Sequence, residues 1–272
     1  MGDHYEQIIR EWILKGIESS HDLEEALAGQ EILLAYNSGK IENQYITYWD
    51  TKDIFETGKI QGYTGDTQTI IEIKNAKDAH EFILQSFDKK EKITEEWLKE
   101  LHYEFTKGAY DASRIAKGEK PGHYKIGFYV TGQSEVGAAP EDVKEEMDEL
   151  LHEIQEASPR SAKDALTVAA YFHCKFENIH PFADGNGRTG RMAMNYYLLT
   201  HNHPPVIFEA EQRENYYNAL DAWNEKQDLK PMKTVMEKSL EKTWRKALRF
   251  DREEPLRDEI RLDRYLDLGI DR

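Results

Sequence analysis

Cysteine is almost absent: Cys174 is the single thiol in 272 residues, so no internal disulfide can staple this chain. Stability must then come from a packed apolar core, and the chain is long enough to enclose one. Basic residues are in deficit, with 36 Lys and Arg against 52 Asp and Glu and a formal net charge of -16. Such a surface repels phosphate backbones, which excludes nucleic acid as the main partner but says little about a single nucleotide. No run approaches the roughly 20 apolar residues of a membrane span. The N-terminal stretch MGDHYEQIIREWIL lacks the basic-then-apolar layout of a secretory signal, and Glu6 stands where Gly2 acylation needs Ser or Thr. The expectation is a cytoplasmic chain without a membrane partner. Pro- or Ser-rich linkers, internal repeats and low-complexity segments are also missing.

What is present is mostly helical periodicity. Leu23, Ala26, Leu27, Leu33 and Leu34 predict an amphipathic helix ending near Asn37-Ser38-Gly39. Ala79, Phe82, Ile83 and Phe87 predict a second, and Trp97, Leu98, Leu101 and Phe105 a third, with a glycine-bearing loop over 58–66. Val143, Met147, Leu150, Leu151 and Ile154 form another stripe, entered through Pro140. A further helix, capped by Ser158 with Pro159 in its first position, carries Ala162, Ala165, Leu166, Ala169, Phe172, His173 and Phe176 on one face. Met192 to Leu199 is apolar on nearly all sides, which predicts a buried helix ended by Asn202-His203-Pro204-Pro205. Helix is expected again over 211–248. Only His123 to Val130, where Tyr124, Ile126, Phe128 and Val130 alternate before Thr131-Gly132-Gln133, reads as strand and turn. An isolated hairpin is marginal in water, so it must lean on helices or receive a partner strand.

The most informative residues are 180–191, His-Pro-Phe-Ala-Asp-Gly-Asn-Gly-Arg-Thr-Gly-Arg. Asp184-Gly185-Asn186-Gly187 falls between two predicted helices, at the N-terminus of the second, where free amides and the helix dipole favour an anion. Gly185 and Gly187 let those amides approach a phosphate. Arg188 and Arg191, three apart, share a side of the first turn. Asp184 suits Mg2+ shared with phosphate oxygens, with Mn2+ as the alternative ion. His180 is the one residue of the segment able to take a proton near neutral pH. Gly185-x-Gly187-x-x-Gly190 also matches the dinucleotide fingerprint, but that motif follows a strand, and a helix precedes it here. His201 and His203 have no acidic or cysteine partner nearby and read as a polar helix end. Cys174 beside His173 reads as a small buried hydrophobe.

Position by position, 180–191 resembles the signature of the Fic family, His-x-Phe-x-Asp/Glu-Gly-Asn-Gly-Arg-x-x-Arg. The resemblance implies a mainly α, Fic-fold helical bundle with a small β-hairpin flap. It also implies transfer of AMP from ATP to a hydroxyl of a target protein. By it, His180 is the general base, Asp184 holds the metal, and Phe182 anchors the loop. Gly185, Asn186, Gly187, Arg188 and Arg191 hold the phosphates. Glu211-Gln212-Arg213, Tyr216-Tyr217 and Asn224 resemble the segment closing the adenine pocket, with Tyr217 and Asn224 the candidate contacts. The hairpin at 127–136 resembles the family's flap, which docks target peptides by strand addition. Lys125 stands where relatives often carry Arg.

Ser38-Gly39-Lys40-Ile41-Glu42-Asn43 matches the family's inhibitory pattern, Ser/Thr-x-x-x-Glu-Gly/Asn. The resemblance implies that Glu42 pairs with Arg191 and keeps ATP in an unreactive pose. An effective restraint requires burial of that pair, since an exposed one contributes under about 1 kcal/mol. The expected organisation is an N-terminal helical region over 1–90 carrying 38–43, a core over 91–225 with flap and signature, and a C-terminal helical extension over 226–272. Removal of AMP, transfer of another phosphate-containing group, or silent nucleotide binding are the competing readings. Dimerisation is expected by family analogy only.

Overall fold

The computed structural model describes residues 2–60, 62–131, 134, 135 and 137–247. The C-terminal helical extension expected over 226–272 therefore falls partly outside the described residues.

Twelve α-helices run through the described residues. The N-terminal set is α1 (Gly2–Ile13), α2 (Ser20–Leu27), α3 (Gln30–Glu42), α4 (Tyr48–Thr57) and α5 (Thr67–Lys89). Then come α6 (Glu95–Thr106), α7 (Ala112–Ala116), α8 (Val143–Glu156), α9 (Ala162–Ile179), α10 (Asn186–Thr200), α11 (Arg213–Lys226) and α12 (Lys230–Ala247). One hydrophobic cluster extends from Tyr5, Ile8 and Trp12 on α1 to Met236, Leu240 and Trp244 on α12. A smaller one, Tyr36, Ile46, Ile54 and Ile73, joins α3, α4 and α5.

The antiparallel pair α9–α10 forms the centre. Every residue of α10 except Gly187 and Thr200 is buried, as its all-round apolar pattern requires. α9, α6, α3 and α5 pack around it.

The helix expected to run from Leu23 to Gly39 is two. Ala28 (φ 50°) and Gly29 (φ 91°) adopt left-handed backbone and end α2, and α3 restarts at Gln30. Nor does α3 stop at Asn37-Ser38-Gly39; it continues to Glu42. Asn37 is satisfied within the helix, donating Nδ2 to the Leu33 carbonyl, while its Oδ1 accepts from the Ala210 amide. Gly39 serves close approach rather than a turn: a Cβ there would sit 2.8 Å from Ile46 Cδ1. The cap of α9 is Ser161, not Ser158. Its side chain accepts from the Asp164 amide, three residues into the helix, while Pro159 stays outside. Likewise Pro140 precedes α8 instead of opening it.

Among the described residues, strand structure is confined to a two-residue antiparallel ladder, Val130 opposite Glu135 and Thr131 opposite Ser134. The alternating stretch His123–Tyr129 is not strand, and Gly132, Gln133 and Val136 of the expected flap lie outside the described residues. Among the described residues no helix is long and apolar enough to cross a membrane.

Candidate active site

His180 ends α9 in left-handed backbone (φ 50°, ψ 62°), its amide bonded to the Phe176 carbonyl. This turn aims the chain back along α10. Two neighbouring segments clamp it: the Lys125 amide donates to Pro181 and the Ala138 amide to Ile179, each at 2.9 Å. The chain flanking 127–136 is thus tied on both sides of His180. Gly137 (φ 82°) lies against the end of α9, where a Cβ would collide with the Ile179 carbonyl oxygen and His180 Cβ. The Glu177 main-chain carbonyl lies within reach of the His180 ring and opposes the lowering of its pKa. Burial, reinforced by the Lys125 charge, pulls its pKa down to about 4, so the imidazole is neutral at pH 7 and able to accept a proton.

Phe182 is fully buried and stacked on His102, ring centroids 3.7 Å apart and planes within 6°. His102 is itself a loop anchor. Its Nδ1 accepts from the Gly122 amide, so Nε2 carries the hydrogen and donates to the Asp184 carbonyl at 2.8 Å. Burial lowers its pKa to about 3, consistent with that neutral form.

Asn186 closes the loop from the other side. Its Oδ1 accepts from the Phe182 amide (2.9 Å) and its Nδ2 donates to the Phe182 carbonyl (2.8 Å). Expected to contact phosphate, this side chain is instead 2% exposed and committed to the backbone. Gly185 (φ 78°) precedes α10 and packs where a Cβ would meet Thr106 Cγ2 at 2.5 Å. Substitution there is strained twice over.

Two arginines stand in the first turns of α10. Arg188 is 6% exposed, and its Nε and Nη1 are buried without a hydrogen-bond partner. Glu72 lies 3.8 Å away and Asp184 3.7 Å, too far for hydrogen bonds. A desolvated cation with unfilled donors at a helix N-terminus is an arrangement suited to an oxyanion.

Arg191 is occupied. Its Nε donates to Ser38 Oγ (3.0 Å), and its Nη2 to the Ser38 carbonyl (2.9 Å) and Glu42 Oε1 (2.8 Å). Nη1 reaches Tyr216 Oη at 3.2 Å, so that hydroxyl donates onward to His173 Nε2 at 2.8 Å. Glu42 also lies against Gly187, where any Cβ would strike its carboxylate and Arg191 Nη1. The ion pair is unevenly buried: the Arg191 side chain is 4% exposed and Glu42 36%, on the open side of the cleft. Asn43 turns away, donating to Thr69 and Glu72.

Asp184 is 39% exposed at the cleft, with Oδ1 accepting from the Gly185 amide and Oδ2 3.4 Å from Arg114. No group of three or more His, Cys, Asp or Glu side chains among the described residues could hold a metal. A lone open carboxylate fits a Mg2+ that shares phosphate oxygens and water, not one caged by protein.

Tyr217 is 41% exposed. Asn224, two turns on along α11, accepts from Asn178 Nδ2 at 2.9 Å, linking α11 to the end of α9. The sequence reading missed Tyr216 as the Arg191 partner, along with His102, Arg114 and Glu119. Glu119 is 4% exposed and accepts from the Ile126 and Gly127 amides and the Tyr129 hydroxyl, pinning the chain that leads into the two-residue ladder. A Glu between Gly118 and Lys120 carries no local signal of burial; only the folded chain supplies those donors. The His201–His203 pair does not converge: His203 is fully buried, bonded to Tyr5 Oη and the Pro204 carbonyl, while His201 stacks on Tyr197. Cys174 is a buried thiol pushed up to about 12 by desolvation, an inert core residue. A cavity of ≈ 630 Å³ near the far end of α10, lined by Phe87, Ile93, Tyr196, Tyr197 and His201, holds none of the signature residues.

Comparison with known proteins places this geometry. Residues 92–198 match the family model described as Fic/DOC family. Proteins named protein adenylyltransferase Fic from Drosophila persimilis and Drosophila grimshawi are each 33% identical, over 83% and 76% of this chain. The chain covers 42% and 41% of those relatives' own lengths. In fold it is similar to a Fic domain containing signaling protein from Bacteroides thetaiotaomicron, with TM-score 0.75 and 22% identity over 93% of this chain and all of the other. It also superposes on Fic-1 (aa134 - 508) from C. elegans, with TM-score 0.70 and 24% identity over 90% of this chain and 72% of that one. A complete signature, set between α9 and α10, and relatives aligned far beyond it leave one assignment: residues 92–198 of this chain are a domain of the Fic/DOC family.

Proposed function

We propose that this protein transfers AMP from ATP to a hydroxyl side chain of a target protein and is restrained by its own Glu42. The observation that carries the reading is Arg188, a buried guanidinium at the N-terminus of α10 whose Nε and Nη1 lack hydrogen-bond partners, in a segment that also holds a neutral His180. The Drosophila relatives are named protein adenylyltransferase Fic, which supports the same activity.

His180 takes the proton of the target hydroxyl, whose oxygen forms a bond to the α-phosphorus. The bond from that phosphorus to the bridging oxygen breaks, and pyrophosphate leaves. The amides at Gly185–Gly187, Arg188 and Arg191 bind the polyphosphate and hold the charge that builds on it. Asn186 acts through Phe182, setting the loop that carries His180. Asp184 would hold Mg2+ on the phosphates, and the ion would supply charge neutralisation to the leaving group. Tyr217 and Asn224 would flank the adenine, and a target segment would align along 127–136.

Glu42 occupies one nitrogen of the arginine that a terminal phosphate would use. The half-open geometry puts the pair between the surface and the buried extremes. The burial expected of an effective restraint is met on the Arg191 side only, so the restraint we propose rests on Glu42 occupying a donor that a phosphate would need rather than on the strength of a buried pair. The reverse reaction, hydrolytic removal of AMP, is the second reading. It is favoured by the Glu42 carboxylate at Gly187, close enough to His180 to act on its charge.

The test is labelling of target proteins in a lysate with ATP carrying label at the α- or the γ-phosphate. The chain is compared with Glu42→Gly and with Glu42→Gly/His180→Ala. Label from the α-position alone, raised by the first change and abolished by the second, supports AMP transfer. Label from the γ-position overturns it. Release of AMP from pre-modified protein without forward labelling would establish the reverse reaction.

A further inference from the structure

Glu177 sits one helical turn before His180 on α9, and the mechanism above does not use its side chain. Its carboxyl is turned inward. Oε1 is buried without a hydrogen-bond partner and lies where a Cβ on Gly190 would be 2.9 Å away. The groups facing it come from four helices: Glu42 on α3, Cys174 on its own helix, Arg191 on α10, and Tyr216 and Tyr217 on α11. Arg191 thus interacts electrostatically with two carboxyls and is hydrogen-bonded to one of them, Glu42.

We infer that Glu177 is a further positioning residue of this site, a proton-carrying carboxyl whose ionisation decides how strongly Arg191 holds a polyphosphate. The inference rests on the nucleotide reading above. With its proton on, Glu177 adds no charge, and Arg191 offers its full field to phosphate. With the proton off, it neutralises Arg191 from within the fold and repels the incoming anion. Where Glu177 is ionised before binding, polyphosphate binding therefore draws a proton from solvent onto it.

The chemistry places this exchange in an accessible range. Desolvation pushes the Glu177 carboxyl up to about 8, against the opposing pull of Arg191. Its neighbours titrate elsewhere: burial takes Cys174 up to about 12, His180 down to about 4 and His173 down to about 3. Burial also raises both Tyr216 and Tyr217. Burial lowers the pKa of Lys125, which faces His180, but that group is common to every variant compared below.

The experiment uses the full chain carrying Glu42→Gly and His180→Ala, which removes the competing carboxylate and turnover. ATP and AMP binding are measured by calorimetry at pH 7.5 and 9.0, with and without Glu177→Gln. ATP affinity is expected to fall roughly 5–10-fold between those pH values with Glu177 in place, and less than about twofold with Gln. AMP, lacking the phosphates beyond the first, changes less than about twofold in both. Equal pH dependence in the Glu and Gln chains, or in ATP and AMP, overturns the inference. Should the Gln chain fail to fold, the parent supplies the answer alone. Calorimetry at pH 8.5 in two buffers of different ionisation heat counts the protons taken up with ATP. A count near one supports the role and zero overturns it. ATP binding without proton uptake sinks Glu177 only, whereas no binding of either nucleotide at any pH sinks the nucleotide reading and this inference with it.

Discussion

Glu42 and Arg191 are 149 residues apart in sequence and 2.8 Å apart in space. The contact joins the last turn of α3 to the first turns of α10, and Ser38 braces it with two further hydrogen bonds to the same guanidinium. Its energetic character follows from its asymmetry, since the arginine is enclosed and the glutamate reaches the cleft.

Replacing Glu42 by Gly is expected to raise AMP transfer by on the order of tenfold or more, as a partly buried pair worth ~1–3 kcal/mol is removed. Glycine in a helical turn itself costs about 1 kcal/mol, so Glu42→Ala is the control that keeps α3 intact. Initial rates of α-label incorporation check both, and equal rates in all three chains would dispose of the restraint.

His180→Ala is expected to lower transfer by roughly 10²–10⁴-fold while leaving ATP affinity within about twofold. The left-handed backbone at 180 adds a small stability cost of about 1 kcal/mol. Because its pKa lies near 4, His180 is already deprotonated at neutral pH. Its contribution to the rate should be flat from pH 6 upward and fall only as the ring protonates on acidification. A rate that instead rises with an apparent pKa near 7 would point to a different base.

Asn186→Ala removes both bonds that close the loop on Phe182 and leaves a buried amide and carbonyl unpaired. A stability loss of roughly 2–4 kcal/mol is expected, measured by denaturant unfolding. The catalytic loss should appear in kcat more than in KM if Asn186 positions His180 rather than touching phosphate; the reverse split would restore the phosphate role.

Acid should destabilise the fold before most carboxylates titrate. His102, His173 and His203 are buried and neutral, with desolvation pulling their pKa values down to about 3, 3 and 4. The unfolded chain binds protons at these sites near pH 6.5, and the folded chain does not. Stability is therefore fully present above about pH 6.5 and is lost progressively as pH falls towards those values. Melting temperature measured from pH 7.5 to 4.5 checks this, and a flat profile, or one unchanged by His203→Gln, would contradict it.

Much of this architecture is legible locally. A helix buries a stripe whose period is set by its own geometry, so Trp97, Leu98, Leu101 and Phe105, or Val143 to Ile154, declare their faces without reference to the rest. The amides of Gly185–Gly187 and the cations at 188 and 191 are equally local, because a turn into a helix N-terminus needs only its own residues. Boundaries are less legible: Ser158 and Ser161 both precede the helix, and only the amide geometry at Asp164 selects Ser161. Gly39 reads as a stop because glycine usually marks one, whereas here it admits Ile46.

The sequence by itself determined the helical class, the buried α9–α10 centre and the identity of the signature, since each depends on residues within a turn or two of one another. The tertiary structure alone decided that Arg191 is shared among Ser38, Glu42 and Tyr216, that Asn186 serves the loop, and that Glu119 pins the chain leading into the two-residue ladder. Hydrogen-bond partners and burial are properties of neighbours in space. Whether a glutamate is a solvated charge or a proton-carrying acid under an arginine is settled only when distant helices close around it.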